Sequence, residues 1–289
     1  MENKSMTRIV YLNGDYVPED EAKISIFDRS VLFGDAIYEV AGVSDGKLMN
    51  FDSHIQRYQT SLGKLEIPVP LSKDEVLAAF RELIKLNNVV DGLVYMHVSR
   101  GVADRAFAWP EGLTPTVFMF TQLKTNKEAE LPEIGIKLKS HRDIRWARRD
   151  IKSANLLGQV LAKKAAKEAG ADEALLVDDE GFVTECGSSS FFIVKDNKII
   201  THSLTQEILA GRTRQAIIEL CAANDLELVE TRFTLQDALN ADEAMNSAAL
   251  DHMLPVIEID GQAIGSGKPG PIYRELRNIY LDYIEGSKV

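Results

Sequence analysis

The stretch Arg145-Trp-Ala-Arg-Arg-Asp-Ile-Lys152-Ser-Ala-Asn-Leu-Leu-Gly158 decides how this chain is read. Ser153 or Asn155 stands where the N-cap of a following helix is expected. Helical spacing runs from Asn155 to Glu168 and stops at Gly170, the residue type that tolerates the left-handed position after a helix. Lys152 is therefore a lysine in a partly apolar segment just before a helix. Covalent catalysis by an amine asks for such a residue, because the amine must lose its proton where a carbonyl compound can reach it. Taken alone, the setting is equally that of an ordinary solvated surface lysine. The rest of the chain has to decide.

On the N-terminal side, Arg8 to Leu12, the turn Asn13-Gly14 and Tyr16-Val17 read as a β-hairpin. Gly34 to Val40 reads as a strand, with Ser44-Asp45-Gly46 as a tight turn before Lys47 to Phe51. Helices are expected from Asp52 to about Leu65, capped by Asp52 or Ser53, and from Ser72 to Leu86, where Ser72 and Glu75 have capping-box spacing. Leu93 to Arg100 and Thr116 to Leu123 resume the strand pattern, and the polar stretch that follows is the expected linker. This gives a smaller domain at 1–123, a linker at 124–131 and a larger domain at 132–289 that carries Lys152. In the larger part, Ile134 to Lys139 reads as a strand, and three short strands between Ala174 and Val194 read as a meander. A helix from Arg212 to Asn224, strands at Leu226 to Glu230 and Val256 to Ile259, and a helix from Ile272 to Glu285 follow. Runs of strands with helices beside them favour an α+β fold over a doubly wound parallel sheet, and no dinucleotide-type glycine fingerprint follows a strand.

At 289 residues, with 45% hydrophobic and 27% charged residues, the chain has the balance of a folded globular protein. A formal net charge of −11 speaks against a nucleic-acid partner. Two cysteines, Cys186 and Cys221, are too few for a disulfide framework or a cysteine-rich zinc site, so no metal is expected and the setting is read as cytoplasmic. The N-terminus has charges without a following apolar core of signal-peptide length, and no apolar run is long enough to span a bilayer.

Around Lys152, the segment Asp150-Ile-Lys-Ser-Ala-Asn-Leu-Leu-Gly158 closely resembles the lysine motif of the class IV (fold-type IV) pyridoxal-phosphate aminotransferases, and within them the D-amino-acid aminotransferase branch. Six further blocks resemble that family in the same order: Gly34-Asp-Ala-Ile-Tyr-Glu-Val40, Phe51-Asp-Ser-His-Ile-Gln-Arg57, Val98-Ser-Arg-Gly-Val-Ala-Asp-Arg105, Val183-Thr-Glu-Cys-Gly-Ser-Ser-Ser190, Leu209-Ala-Gly-Arg-Thr-Arg214 and Pro255-Val-Ile-Glu-Ile-Asp-Gly261. Collinear blocks over nearly the whole chain are far more specific than one motif. The resemblance implies a two-domain α+β enzyme with the cofactor between its domains, and a homodimer.

Pyridoxal 5'-phosphate asks for an amine for its Schiff base, an acid on the ring nitrogen and an anion site. The resemblance assigns these to Lys152, to Glu185 and to Arg57 with the amides of Arg212 and Thr213, which fall where a helix begins. The family adds a hydroxyl from a loop that corresponds here to Asn246 to Leu250, and the matching positions are Ala248 and Ala249. Their amides remain as donors and Ser247 lies one position earlier. A lost charge-assisted hydrogen bond costs about 1.5–3 kcal/mol, so weaker cofactor retention is expected.

For the substrate, the D-amino-acid branch resembles a carboxylate trap of a tyrosine, an arginine and a histidine, the last two as Arg-x-His. Tyr38 and Arg105 match, whereas Phe107 stands at the histidine position and replaces a donor with an apolar face. The implied reaction is transamination between a D-amino acid and a 2-keto acid such as pyruvate or 2-oxoglutarate, with acceptance of (R)-primary amines raised by Phe107. A branched-chain L-amino-acid aminotransferase, an aminodeoxychorismate-type lyase and a non-catalytic cofactor-binding protein stand as alternatives that share Lys152 and Glu185.

Overall fold

The computed structural model describes residues 7–124 and 130–289. Most of the expected linker lies outside the described residues. The chain divides into two compact units, one of Met1–Lys124, Ile151–Asn155 and Ser287–Val289, the other of Thr125–Asp150 and Leu156–Gly286.

In the first unit, β1 (Ile9–Leu12) and β2 (Asp15–Pro18) form the expected hairpin, with Leu12 opposite Asp15. Asn13 and Gly14 between them both have positive φ, 50° and 109°, as a two-residue turn matched to strand twist requires. A short helix not expected from the sequence, α1 (Arg29–Phe33), is capped by Asp28, whose side chain accepts from the Ser30 N–H, and ends at Gly34. β3 (Ala36–Ser44) and β4 (Lys47–Leu48) turn at Asp45-Gly46. α2 (Phe51–Lys64) starts one residue before the expected caps, after Asn50 in the left-handed region, with no side-chain cap. α3 (Lys73–Leu86) has both halves of the Ser72–Glu75 capping box. β5 (Gly92–Ser99) and β6 (Thr116–Leu123) complete a six-stranded antiparallel sheet in the order β2-β1-β6-β5-β3-β4. The apolar faces of α2 and α3 bury Phe51, Tyr58, Leu62, Val76, Phe80 and Leu83 in its core.

The second unit begins with α4 (Leu131–Ile134), one turn with Pro132 near its start, where the sequence suggested that a strand already opens at Ile134. The strand β7 (Ile136–Arg142) starts only after Gly135, at φ 83°. α5 (Leu157–Glu168) also begins later than expected, because Ser153 and Ala154 are already paired elsewhere. Then come β8 (Glu173–Val177), β9 (Val183–Cys186), β10 (Ser190–Lys195), β11 (Lys198–Thr201), α6 (Arg212–Ala223), β12 (Leu228–Glu230), α7 (Leu235–Leu239), β13 (Glu243–Ala248), β14 (His252–Ile259), β15 (Gln262–Ala263) and α8 (Pro271–Gly286). Strand order is β12-β11-β10-β13-β14-β7-β8-β9, with β15 on β14 and parallel pairs at β11/β12, β14/β7 and β7/β8. The expected meander is therefore corrected: β8 and β9 are neighbours, but β10 pairs with β11 and β13. Mixed pairing and helices outside the strand runs make the fold α+β.

The segment around Lys152 belongs to the first unit, whereas the sequence expectation placed it with the C-terminal domain. Its backbone explains why. Ile37 bridges Ser153, the Tyr38 N–H donates to the Lys152 carbonyl at 3.0 Å, and the Ala154 N–H donates to the Ala36 carbonyl at 2.9 Å. Residues 152–154 thus pair along β3 instead of starting the helix.

Candidate active site

Pairing with β3 sets Lys152 beside Tyr38. The lysine Nζ lies 4.1 Å from the centre of the Tyr38 ring, and the lysine is half-buried outside any helix or strand. Its backbone N–H approaches the Ser61 Oγ at 3.4 Å. Ser61 and Arg57 are four residues apart on α2 and share a face, so the arginine is carried on the helix face that meets Lys152. Arg57 is buried and forked onto Glu39, with Nε donating to Oε1 at 2.7 Å and Nη2 to Oε2 at 2.8 Å. His54 Nδ1 lies 3.0 Å from the same carboxylate. Burial would raise the Glu39 carboxyl, but Arg57 and His54 hold it well below the usual carboxylate range. Burial pushes the His54 imidazole down, against the pull of Glu39.

Arg105 and Phe107 sit on the loop between β5 and β6. The Arg105 guanidinium lies 5.6 Å from the Phe33 ring centre and 5.3 Å from that of Phe107. Phe107 is 79% exposed, which is unusual for a phenylalanine.

In the second unit, Glu185 ends in a buried network on β9. Arg145 Nη1 donates to Glu185 Oε1, while its Nε and Nη2 fork onto Asp143 at 2.9 and 2.7 Å. The side chains of Arg145 and Glu185 are only 5% and 8% exposed. Burial would lower the Arg145 guanidinium, but the two carboxylates raise it further, and those contacts hold Asp143 down against burial. The Thr184 hydroxyl also donates to Asp143 at 2.7 Å. The Leu209 N–H points at the Glu185 carboxylate, 3.3 Å from Oε2. Two residues on, the backbone enters α6 at Gly211, and Arg212 and Thr213 form its first turn, with no side-chain cap. A Cβ at Gly211 would stand 2.7 Å from Ser190 Oγ. Ser190 pairs directly with Ser247 across β10 and β13, so both side chains share a face. Ser247 Oγ is buried and, among the described residues, has no hydrogen-bond partner. Ala248 closes β13, and Ala249 follows in the turn to β14.

The candidate residues thus fall into two groups: Tyr38, Arg57, Arg105, Phe107 and Lys152 in the first unit, and Glu185, Arg212, Thr213, Ala248 and Ala249 in the second. Glu39, Arg145 and Asp143 were not foreseen as site residues. Arg145 stood in the quoted stretch, but one arginine among three gives no sign of which turns inward. No group of residues suited to a metal ion occurs among the described residues.

An antiparallel first sheet, a mixed second sheet, a lysine beside a tyrosine and a buried acid tied to a helix start define a fold-type IV enzyme. The pattern of the family described as amino-transferase class IV matches residues 36–259, and the chain belongs to that family. It is 38% identical over 276 residues to a D-alanine aminotransferase of Staphylococcus haemolyticus, covering 96% of this chain and 98% of that one. A D-alanine aminotransferase of Bacillus licheniformis is 39% identical over 268 residues, covering 93% and 94%. The branched-chain amino acid aminotransferase of Escherichia coli superposes with a TM-score of 0.91 over 98% of this chain and 96% of that one. At 24% identity that likeness speaks to fold alone.

Proposed function

We propose that this enzyme transfers an amino group between a D-amino acid and a 2-keto acid, with pyridoxal 5'-phosphate as cofactor. The observation that carries the reading is the buried Glu185 carboxylate joined through the Leu209 N–H to the start of α6. A buried acid and an anion-binding helix start, one short loop apart, fit a group with a ring nitrogen at one end and a phosphate at the other. The unpartnered Ser247 hydroxyl, on the strand face where α6 begins, fits the same phosphate and supplies the donor that Ala248 and Ala249 lack.

When bound, the cofactor supplies an electron sink for the negative charge that develops at the substrate Cα. In this reading Lys152 Nζ holds the cofactor at rest and moves the proton at Cα during turnover. Glu185 holds the proton of the ring nitrogen, and Arg145 fixes the Glu185 carboxylate in place. Arg57, Arg212, Thr213 and Ser247, with the Ala248 and Ala249 amides, bind the phosphate. Tyr38 and Arg105 receive the substrate α-carboxylate. Phe107, apolar and exposed where the family has a histidine, favours acceptance of (R)-primary amines as well.

We further propose a homodimer. Ile24, Ile26, Phe27, Val31 and Val102 are all exposed, and the Asp28–Val102 bridge brings their two segments together, which suits an apolar contact with a second copy. Two free, buried cysteines accord with the cytoplasm.

A half-reaction screen with D-amino acids, L-amino acids and (R)- and (S)-1-phenylethylamine tests the reading, following loss of the cofactor's visible absorption band. D-alanine should bleach it, and a response to branched-chain L-amino acids alone would contradict the reading. Release of pyruvate without an acceptor keto acid would point to the lyase.

A further inference from the structure

Asp35 follows the end of α1 and receives two buried arginines. Arg29 Nε donates to its Oδ2 at 2.7 Å, and Arg100 donates Nε to Oδ2 at 2.8 Å and Nη2 to Oδ1 at 3.0 Å. Both arginines are 3% exposed. Two guanidiniums on one carboxylate leave a positive charge buried, an arrangement that is costly unless the remaining donors are used. Those donors go to backbone. Arg29 Nη1 donates to the Ala106 carbonyl at 2.7 Å and Nη2 to the Phe107 carbonyl at 3.2 Å, while Arg100 holds the carbonyls of Leu65 and Glu66. The Arg100 guanidinium also lies 3.8 Å from the centre of the Trp109 ring. The loop is thus gripped at 106, 107 and 109, on either side of the Phe107 side chain and next to Arg105. Its base is fastened too: the Arg29 N–H donates to the Gly101 carbonyl at 2.9 Å, and the Ala103 N–H to the Phe27 carbonyl at 3.2 Å. Gly101 itself, at φ 112°, leaves no room for a Cβ, which would fall 2.1 Å from the Thr114 carbonyl oxygen.

We propose that Arg29, Asp35 and Arg100 form a positioning clamp that places the Arg105–Trp109 loop and thereby sets affinity for substrates bearing an α-carboxylate. The clamp rests on the reading of Arg105 as the carboxylate-binding residue. The spare donors of Arg29 are directed at the carbonyls of a loop whose central side chain is exposed, while those of Arg100 fasten the end of α2 and its guanidinium lies over Trp109, so the cluster ties that loop to α2. The three residues act through Arg105 and do not touch substrate.

Arg29→Lys keeps the charge facing Asp35 but cannot span two carbonyls, and Trp109→Leu removes the stacking partner of Arg100. Both variants, with Arg105→Ala for comparison, are assayed as holoenzyme for KM and kcat with D-alanine and for melting temperature. A displaced binding group costs up to about a hundredfold, so KM is expected to rise about ten- to a hundredfold in all three variants, with kcat changed by less than about threefold. A lowered melting temperature with KM unchanged in Arg29→Lys and Trp109→Leu would overturn the clamp, leaving it a structural ion cluster. If only Arg105→Ala raises KM, the clamp fails and the reading of Arg105 stands. If Arg105→Ala leaves KM unchanged, both fail. Absence of D-alanine turnover by the unaltered enzyme would overturn the functional reading and the clamp with it.

Discussion

Arg145, just past the end of β7, and Glu185 on β9 form a buried ion pair, and the same guanidinium forks onto Asp143. Two carboxylates thus share Arg145, and Arg149 Nε stands 3.4 Å from Asp143 as a second cation, so neither acid is buried alone. This relationship fixes the carboxylate assigned to the cofactor ring.

Removing one partner leaves the other uncompensated. Arg145→Met is expected to destabilise the protein by about 3–5 kcal/mol, and less when combined with Glu185→Gln. Urea unfolding of the two single variants and the double variant measures the coupling. Additive losses would show that the pair contributes nothing jointly.

The hydroxyl of Ser247 is buried and has no partner among the described residues, which fits a role in binding. Ser247→Ala should leave the apoenzyme's stability nearly unchanged and speed cofactor loss, at a cost of about 1.5–3 kcal/mol of binding free energy. Retention of absorbance through dialysis reads this directly. Equal retention in variant and parent would remove Ser247 from the phosphate site.

His97 stacks on Phe118, with ring centres 4.5 Å apart, and burial pushes its imidazole down to about 4 from an ordinary value of 6.5. Above pH 6.5 both folded and unfolded states hold it neutral and stability is full. As pH falls from 6.5 towards 4 the unfolded state takes up a proton that the folded state refuses, so stability is lost, by on the order of 3 kcal/mol in all. Below 4 this loss stops growing. His97→Phe keeps the stack and should flatten the decline across that window, as followed by thermal melts at successive pH values. An unchanged slope would assign the decline to other groups.

The exposed patch around Ile26 and Phe27 predicts a self-association that charge can break. Ile26→Asp with Phe27→Glu should shift the protein towards monomer in sedimentation velocity. A monomeric parent, or an unaffected dimer, would place the interface elsewhere or remove it.

Features with local causes were legible in the sequence. Asn13-Gly14 sets a two-residue hairpin, and Ser72 with Glu75 caps α3. Features with distant causes were not. α5 starts at Leu157 because Ser153 and Ala154 pair along β3, and nothing local announces that pairing. β13 hides because four consecutive residues, Ala244 to Ser247, are buried, which erases the alternation of a half-exposed strand. In the site, Lys152, Glu185 and Tyr38 were reached through the family's motifs, but the pairing of Lys152 with Tyr38, and Arg145 and Leu209 as partners of Glu185, come from strand register and loop placement. The Asp35 cluster joins residues 6 and 65 positions apart in the chain, a separation that one sequence alone cannot bridge.

Lys152 carries the central claim. Lys152→Ala, prepared with pyridoxal 5'-phosphate present and mixed with D-alanine and a keto acid, should show no transamination and no visible band of lysine-bound cofactor, while Glu185 and the α6 start still retain some cofactor. Full turnover by that variant, with the parent's absorbance intact, would contradict the account.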